Sequence, residues 1–183
     1  MATIINASNS TGLTLTSDLS GVLQFQQNGV NLPALSVAPA FYVYPANSQT
    51  LASGSVTKLQ LNTEVFDTNN NFDSTTNYRF TPTVSGYYQI NGGTLLGFSG
   101  SNGFLAFCSI YKNGAEYLRG SMYYVNSGTA INQGSAVSGV IYFNGSTDYV
   151  ELYVRGDASS GTITTATSSV PFNYFSGSLI RGA

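Results

Sequence analysis

FDTNNNFDSTTNYRFTPTVSGYYQI, residues 66–90, runs from a polar, Asn-rich loop through Phe80, turns at Thr81-Pro82-Thr83-Val84-Ser85-Gly86, and enters a strand at Tyr87-Tyr88-Gln89-Ile90. Side chains of a strand alternate between its two faces, so Tyr88 and Ile90 point one way and Tyr87 and Gln89 the other. Phe80, the large apolar residue ahead of the turn, is expected in the core. Gly86 marks the change from turn to strand. It is expected in a conformation closed to larger residues, or where a Cβ would strike Phe80.

Upstream, Ala40-Phe41-Tyr42-Val43-Tyr44 alternates as a strand stopped by Pro45, and Lys58-Leu59-Gln60-Leu61 reads as a shorter one. Downstream, residues 87–96 form an extended run in which Asn91-Gly92-Gly93 predicts a bulge or bend, since paired glycines inside a strand rarely serve packing. Two hairpins follow. The first joins 104–111 to 116–124 through Lys112-Asn113-Gly114, where Asn-Gly favours a primed turn. The second joins 137–143 to 149–155 across Asn144-Gly145-Ser146-Thr147-Asp148, with Val150, Leu152 and Val154 on the core face and Tyr149, Glu151, Tyr153 and Arg155 facing out or into a neighbour. Residues 156–169 read as a Gly/Ser/Thr/Ala loop or weak edge strand, and 172–180 close the sheet. Many strands with Gly and Asn turns, and no window with helical periodicity free of Gly, Pro and β-branched residues, predict an all-β, two-sheet antiparallel jelly-roll sandwich.

The chain has 183 residues, of which 8% are charged and 13% aromatic, and 20 are glycine. That length buries roughly 70% of the unfolded surface without staples. Net charge is −2 and no basic run neutralises a row of phosphates, which argues against nucleic-acid binding. MATIINASNS has neither a basic nor an apolar leader region, and no long apolar run occurs, so neither export nor membrane insertion is expected. The glycosylation-like triplets at Asn6, Asn9 and Asn144 then carry no weight. Cys108 shares a face with Phe104, Ala106 and Ile110 and is expected to be a buried, inert thiol.

Without histidine the chain lacks the commonest general base and metal ligand, and no enzyme is expected. Carboxylate pairs such as Asp67 with Asp73, or Glu116 with Glu151, have no sequence reason to share a cleft. Asp67, Asn69, Asn71 and Asp73 place oxygens at alternate positions like the start of a calcium loop. Phe72 and Tyr78, however, stand where that loop needs its Gly and its bidentate Glu, so an Asn-rich solvated loop is the reading and no cofactor is expected. Tyrosines 42, 44, 88, 123, 124, 149 and 153 are assigned to the core or to a subunit interface rather than to sugar stacking.

The spacing of Phe80, Gly86, Tyr88 and Ile90, with Phe72 ahead of it, resembles the signature of the complement-1q-type globular domain, the jelly-roll family that includes tumour necrosis factor. Ile90 replaces the usual Phe, and one extra residue separates Phe72 from Phe80. Phe175-Ser176-Gly177-Ser178-Leu179-Ile180 is similar to the family's closing strand, and residues 109–114 to its central hairpin. The resemblance covers residues 36–183 and implies a compact homotrimer. Residues 1–35 read as a separate β-hairpin segment in which Leu13, Leu15, Leu23 and Phe25 are apolar. TGLTLTSDLSGVLQFQ followed by NGV resembles the N-termini of short virion proteins of tailed bacteriophages, which implies trimerisation and attachment to other virion proteins. The expectation is a head decoration protein or short fibre on the virion surface, assembled in the host cytoplasm. The alternative is a trimeric adhesin of a tail fibre that binds a host-surface glycan.

Overall fold

The computed structural model describes residues 26–27, 30–31, 38–100, 103–126, 131–167 and 170–183. The chain divides into two compact units, Met1–Leu35 and Ser36–Ala183. In the first, β1 (Gln26–Gln27) pairs antiparallel with β2 (Val30–Asn31), Gln27 opposite Val30. Leu13, Leu15, Leu23 and Phe25 lie outside the described residues.

The second unit begins with β3 (Ala40–Tyr44), β4 (Thr50–Leu51), β5 (Val56–Lys58), β6 (Thr63–Asp67), β7 (Phe72–Asp73) and β8 (Arg79–Phe80). It continues with β9 (Gly86–Phe98), β10 (Phe104–Lys112), β11 (Ala115–Arg119), β12 (Tyr123–Val125) and β13 (Ile131–Phe143). β14 (Val150–Ala158), β15 (Ile163–Thr165) and β16 (Tyr174–Gly182) complete it. In sheet I, β9 is flanked along its whole length by β13 on one side, and by β16 then β15 on the other, with β3, β6 and β4 beyond. In sheet II, β10 and β14 are central, β11 and β12 lie on one edge, and β5, β8 and β7 on the other. All pairings are antiparallel, giving the two-sheet sandwich expected from the alternation.

The core lies between the sheets and is built on aromatic rings. Phe41 of sheet I stacks on Phe80 of sheet II with centroids 4.2 Å apart, and Phe72 and Phe175 meet Phe41 at 5.4 and 5.3 Å. Tyr88 and Phe143 close the cluster edge-on to Phe80 at 5.8 and 6.2 Å. Phe80, Tyr88, Ile90 and Phe175 are fully buried, Leu179 packs against the cluster, and Tyr87 is exposed on the opposite face. Burial pushes the Tyr88 phenol up to about 12, and its hydroxyl donates to the Val84 carbonyl at 2.8 Å. Cys108 is fully buried, and its face-mates Phe104, Ala106 and Ile110 belong to the same core.

Two expectations are corrected. Residues 137–143 and 149–155 are not a hairpin: β13 pairs with β9 in sheet I and β14 with β10 in sheet II, so residues 144–149 cross the sandwich. Asn144 drives that crossing, because its Oδ1 collects the N–H groups of Ser146, Thr147 and Asp148 in a turn of its own. Asn91-Gly92-Gly93 is not a bulge, for β9 keeps register with β13 from Gly86↔Phe143 to Phe98↔Ile131. The glycines do serve packing: a Cβ on Gly92 would lie 2.5 Å from Leu152 Cδ1, and one on Gly93 2.9 Å from Cζ of Tyr174. The expected closing strand is β16, which runs between β9 and β3. Gly86 meets the first of its two expectations, with φ +154° closed to side chains, and its Cβ would meet the Arg181 carbonyl and, at 2.8 Å, Leu179 Cδ1 rather than Phe80.

Two substitutions test this packing. Phe80→Ala should cost about 3–5 kcal/mol because the cavity would open at the centre of the aromatic cluster. Gly86→Val should cost roughly 2 kcal/mol or more, because both the backbone conformation and the β16 main chain oppose the side chain. Denaturant melts of either variant that overlay on wild type would refute the assignment.

Candidate self-association face

The two outer faces of the sandwich differ in chemistry. Sheet II carries charge. Glu151, outward on β14 yet only 2% exposed, accepts from Lys58 Nζ at 2.8 Å and from Arg79 Nη2 at 3.0 Å, which ties β14 to β5 and β8. Arg119 lies beside Glu116 at 2.6 Å and Arg155 beside Asp157 at 2.9 Å. Rings fill the spaces between: Tyr111 and Tyr153 are 4.1 Å apart, Arg79 lies 4.0 Å over Tyr149, and Arg119 4.6 Å over Phe107. Glu151 thus lies on the outward side of β14, as expected, but two cations cover it.

Sheet I presents neutral rows instead. Tyr142, Tyr87 and Arg181 stand side by side on β13, β9 and β16, and the next row is Val140, Gln89 and Ser178. Ser138, Asn91, Ser176, Tyr42 and Phe66 follow across five strands, then Ala136, Gly93 and Tyr174. Arg181 is the sole charge in these rows. Tyr42 stacks on Tyr174 at 5.9 Å and on Phe66 at 6.4 Å, while Tyr87 meets Tyr142 at 5.4 Å. Phe66, Tyr87, Val140 and Tyr142 remain exposed by 40% or more of their surface. Beside this face, on β12 at the edge of sheet II, Tyr123 and Tyr124 are also exposed, next to Met122. A shallow groove lined by Leu95, Gln133, Tyr123, Phe172 and Tyr174 joins the two surfaces.

The residues singled out by sequence separate into three places. Phe72, Phe80, Tyr88, Ile90 and Phe175 meet in the core, where Gly177 admits Phe41 and Ile90, each within 2.8 Å of where its Cβ would be. The oxygens of the calcium-like loop are spent on the loop itself. Asp67 accepts from the N–H of Phe72 at 2.6 Å, Asn71 Oδ1 from Thr83, and Asp73 caps the N–H groups of Thr75, Thr76 and Asn77. Among the described residues no group of three His, Cys, Asp or Glu side chains converges. Glu116 and Glu151, posed as a carboxylate pair, are each held by their own cations. Of the tyrosines, Tyr88 is core, Tyr42 lies on the neutral face, Tyr123 and Tyr124 on the neighbouring edge, and Tyr149 and Tyr153 on the charged face. Sequence reasoning missed Gln89, Asn91, Ser138, Ser176 and Tyr174 as one surface. Alternation placed Gln89 outward, but the pairing of β13 with β9 is a long-range fact.

Comparison with solved structures follows this architecture. The globular domain of a zebrafish complement 1qA protein superposes with a TM-score of 0.51 at 17% identity, covering 80% of this chain and 99% of that one. Murine APRIL, at pH 5.0, superposes with a TM-score of 0.53 at 12% identity, covering 78% and 99%. The fold is the jelly roll of complement 1q and the tumour necrosis factor family. No family model matches the sequence, and no protein of curated function matches it. At these identities the likeness is one of fold.

Charge placement predicts an acid response. The N–H of Thr76, with Thr75 and Asn77, holds the Asp73 carboxyl well below the usual range. The Arg119 guanidinium lowers Glu116 to about 2, and the Asn113 amide followed by Lys112 lowers Asp148. Each folded-state value lies below its unfolded one of about 4, so these groups contribute stability above that pH and lose it as pH falls toward the folded values. The melting temperature should be flat from neutral pH to about 5 and drop below about 4, with a smaller drop in Asp73→Asn. A second expectation concerns Glu151→Gln, which leaves Lys58 and Arg79 without a counter-charge. It should cost about 2 kcal/mol, less than a fully buried pair because both cations are partly solvated. An unchanged melt would mean the network contributes nothing to stability.

Proposed function

We propose that this chain is a non-enzymatic structural protein that assembles as a closed homotrimer through the neutral face of sheet I. The observation that carries the reading is the segregation of charge. Sheet II carries its ion pairs on its outer face, whereas sheet I exposes Tyr87, Tyr142, Val140 and Phe66 in rows whose one charge is Arg181. The exposed aromatics of β12 form a second, unlike patch beside it. When one patch of a chain meets a different patch of the next copy, the contact is heterologous and, where the rotation closes, builds a ring around whose axis each side chain meets its own counterparts. The likeness in fold to the complement 1q and tumour necrosis factor domains supports three as the number of copies.

The finer reading places the trimer on a bacteriophage particle, as a head decoration protein or short fibre, with Ser36–Ala183 displayed and Met1–Leu35 attached to other virion proteins. It is supported by the resemblance of TGLTLTSDLSGVLQFQ to virion N-termini. The absence of histidine supports a role without catalysis.

Light scattering should report about 58 kDa, three times the 19.3 kDa of one chain. A monomer at micromolar concentration would sink the assembly. A chain beginning at Leu35 should still trimerise but fail to decorate particles lacking the native protein, which the full-length chain should restore. If the shortened chain decorates equally well, residues 1–35 are no attachment segment.

A further inference from the structure

The centre of the neutral face is not apolar. Gln89 Nε2 donates to Ser138 Oγ at 2.8 Å and to Asn91 Oδ1 at 3.1 Å, and Ser138 Oγ donates to the same Asn91 oxygen at 2.8 Å. Gln89 and Asn91 are half-buried and Ser138 is exposed, and all three stand on the outer side of β9 and β13. The network leaves Gln89 Oε1, an acceptor, and Asn91 Nδ2, a donor, without a partner among the described residues. The serine neighbours Ser176 and Ser178 on β16 border it, and Tyr87, Tyr142, Tyr42 and Tyr174 stand around it.

We propose that Gln89, Asn91 and Ser138 form a registering element that pairs with the same element, or its serine neighbours, on adjacent copies of this chain and so fixes the stoichiometry and alignment of the assembly. This inference rests on the trimer described above. The occupant is another copy because of what rotational symmetry demands: near the axis a side chain meets its own counterparts. A charged group would there face like charges, whereas amides and hydroxyls both donate and accept and so complement themselves. The island supplies such groups, with one donor and one acceptor spare, and holds no charge. Slipped or mis-numbered assemblies would bury those groups unpaired, which costs more than the correct pairing gains. A buried Asn that sets register and oligomer number at some expense of stability is the coiled-coil counterpart of this arrangement.

The test uses the full-length chain and two variants, followed by light scattering and native mass spectrometry from 0.1 to 100 µM. (~0.1–100 µM spans a typical range around which protein interfaces dissociate.) In Gln89→Leu/Asn91→Leu the apolar face becomes continuous, and the expected result is a mixture of oligomers in place of a single trimer. In Asn91→Asp the backbone and shape are kept while a charge is placed on the island. The trimer should dissociate at a concentration at least about tenfold higher than wild type at pH 7, and regain wild-type affinity below about pH 4 as the carboxyls are protonated. Trimers of unchanged mass and dissociation midpoint in Asn91→Asp, from a wild type that is itself trimeric, overturn the registering role alone. A monomeric wild type overturns the role and the trimer together, and leaves the face to a partner of another kind.

Discussion

The stack of Phe41 on Phe80 joins the two sheets where the chain has least ladder to hold it. β7 and β8 are two residues long each, and a pair so short is held by what its side chains bury rather than by its own hydrogen bonds. Phe80 supplies that burial by entering a cluster of five other rings, from Phe41 to Phe143. Its neighbour Arg79, pointing the other way by alternation, reaches Glu151 on the outer face. One dipeptide thus fixes the core and anchors the charged surface. Asp73, which ties down the loop between the two strands, makes their approach reproducible.

Close contact between the sheets depends on glycine at chosen places. Gly92 admits the Leu152 side chain from the opposite sheet, and Gly156 admits Ile163 and Leu96. On the outer side, Gly93 lets the Tyr174 ring lie down beside Tyr42. The same strand therefore packs inward and outward at successive residues without a bulge. That regularity keeps Gln89 and Asn91 on one face and in line with Ser138 of β13.

How much of this the sequence discloses follows the range of the interaction. Alternation is local, so Tyr88 and Ile90 inward, Val150, Leu152 and Val154 inward, and Cys108 among Phe104, Ala106 and Ile110 were all legible. The Lys112-Asn113-Gly114 turn was legible too, and Asn113 and Gly114 have φ of 53° and 82° as a primed turn requires. Neighbourhood was not. β13 and β14 each have one apolar side, and that property is the same whether two strands lie side by side or face each other across a core. The misread loop at Asn144 and the hidden row from Ser138 to Phe66 have that single cause. Glu151 was hidden for a related reason: its two cations come from strands about 70 and 90 residues away in sequence, and only pairing brings them together.

The neutral face divides its labour by magnitude. A fully buried Tyr or Phe removes about 150–250 Å² from water, and at about 25 cal/mol per Å² even half of that is worth roughly 2–3 kcal/mol. Tyr87, Tyr142 and Phe66 each keep nearly half their surface exposed in the single chain, so in the proposed trimer the driving force for association resides in the rings. Hydrogen bonds between amides and hydroxyls add only about 1 kcal/mol each when made, yet cost about 1–3 kcal/mol when a buried group is left unpaired. Rings alone would favour many overlapping arrangements of similar energy, because dispersion and burial are weakly directional. In the proposed trimer the polar island contributes little to how strongly copies adhere and much to which arrangement survives, and its position amid the rings, not beside them, is what lets a small directional term select among large non-directional ones.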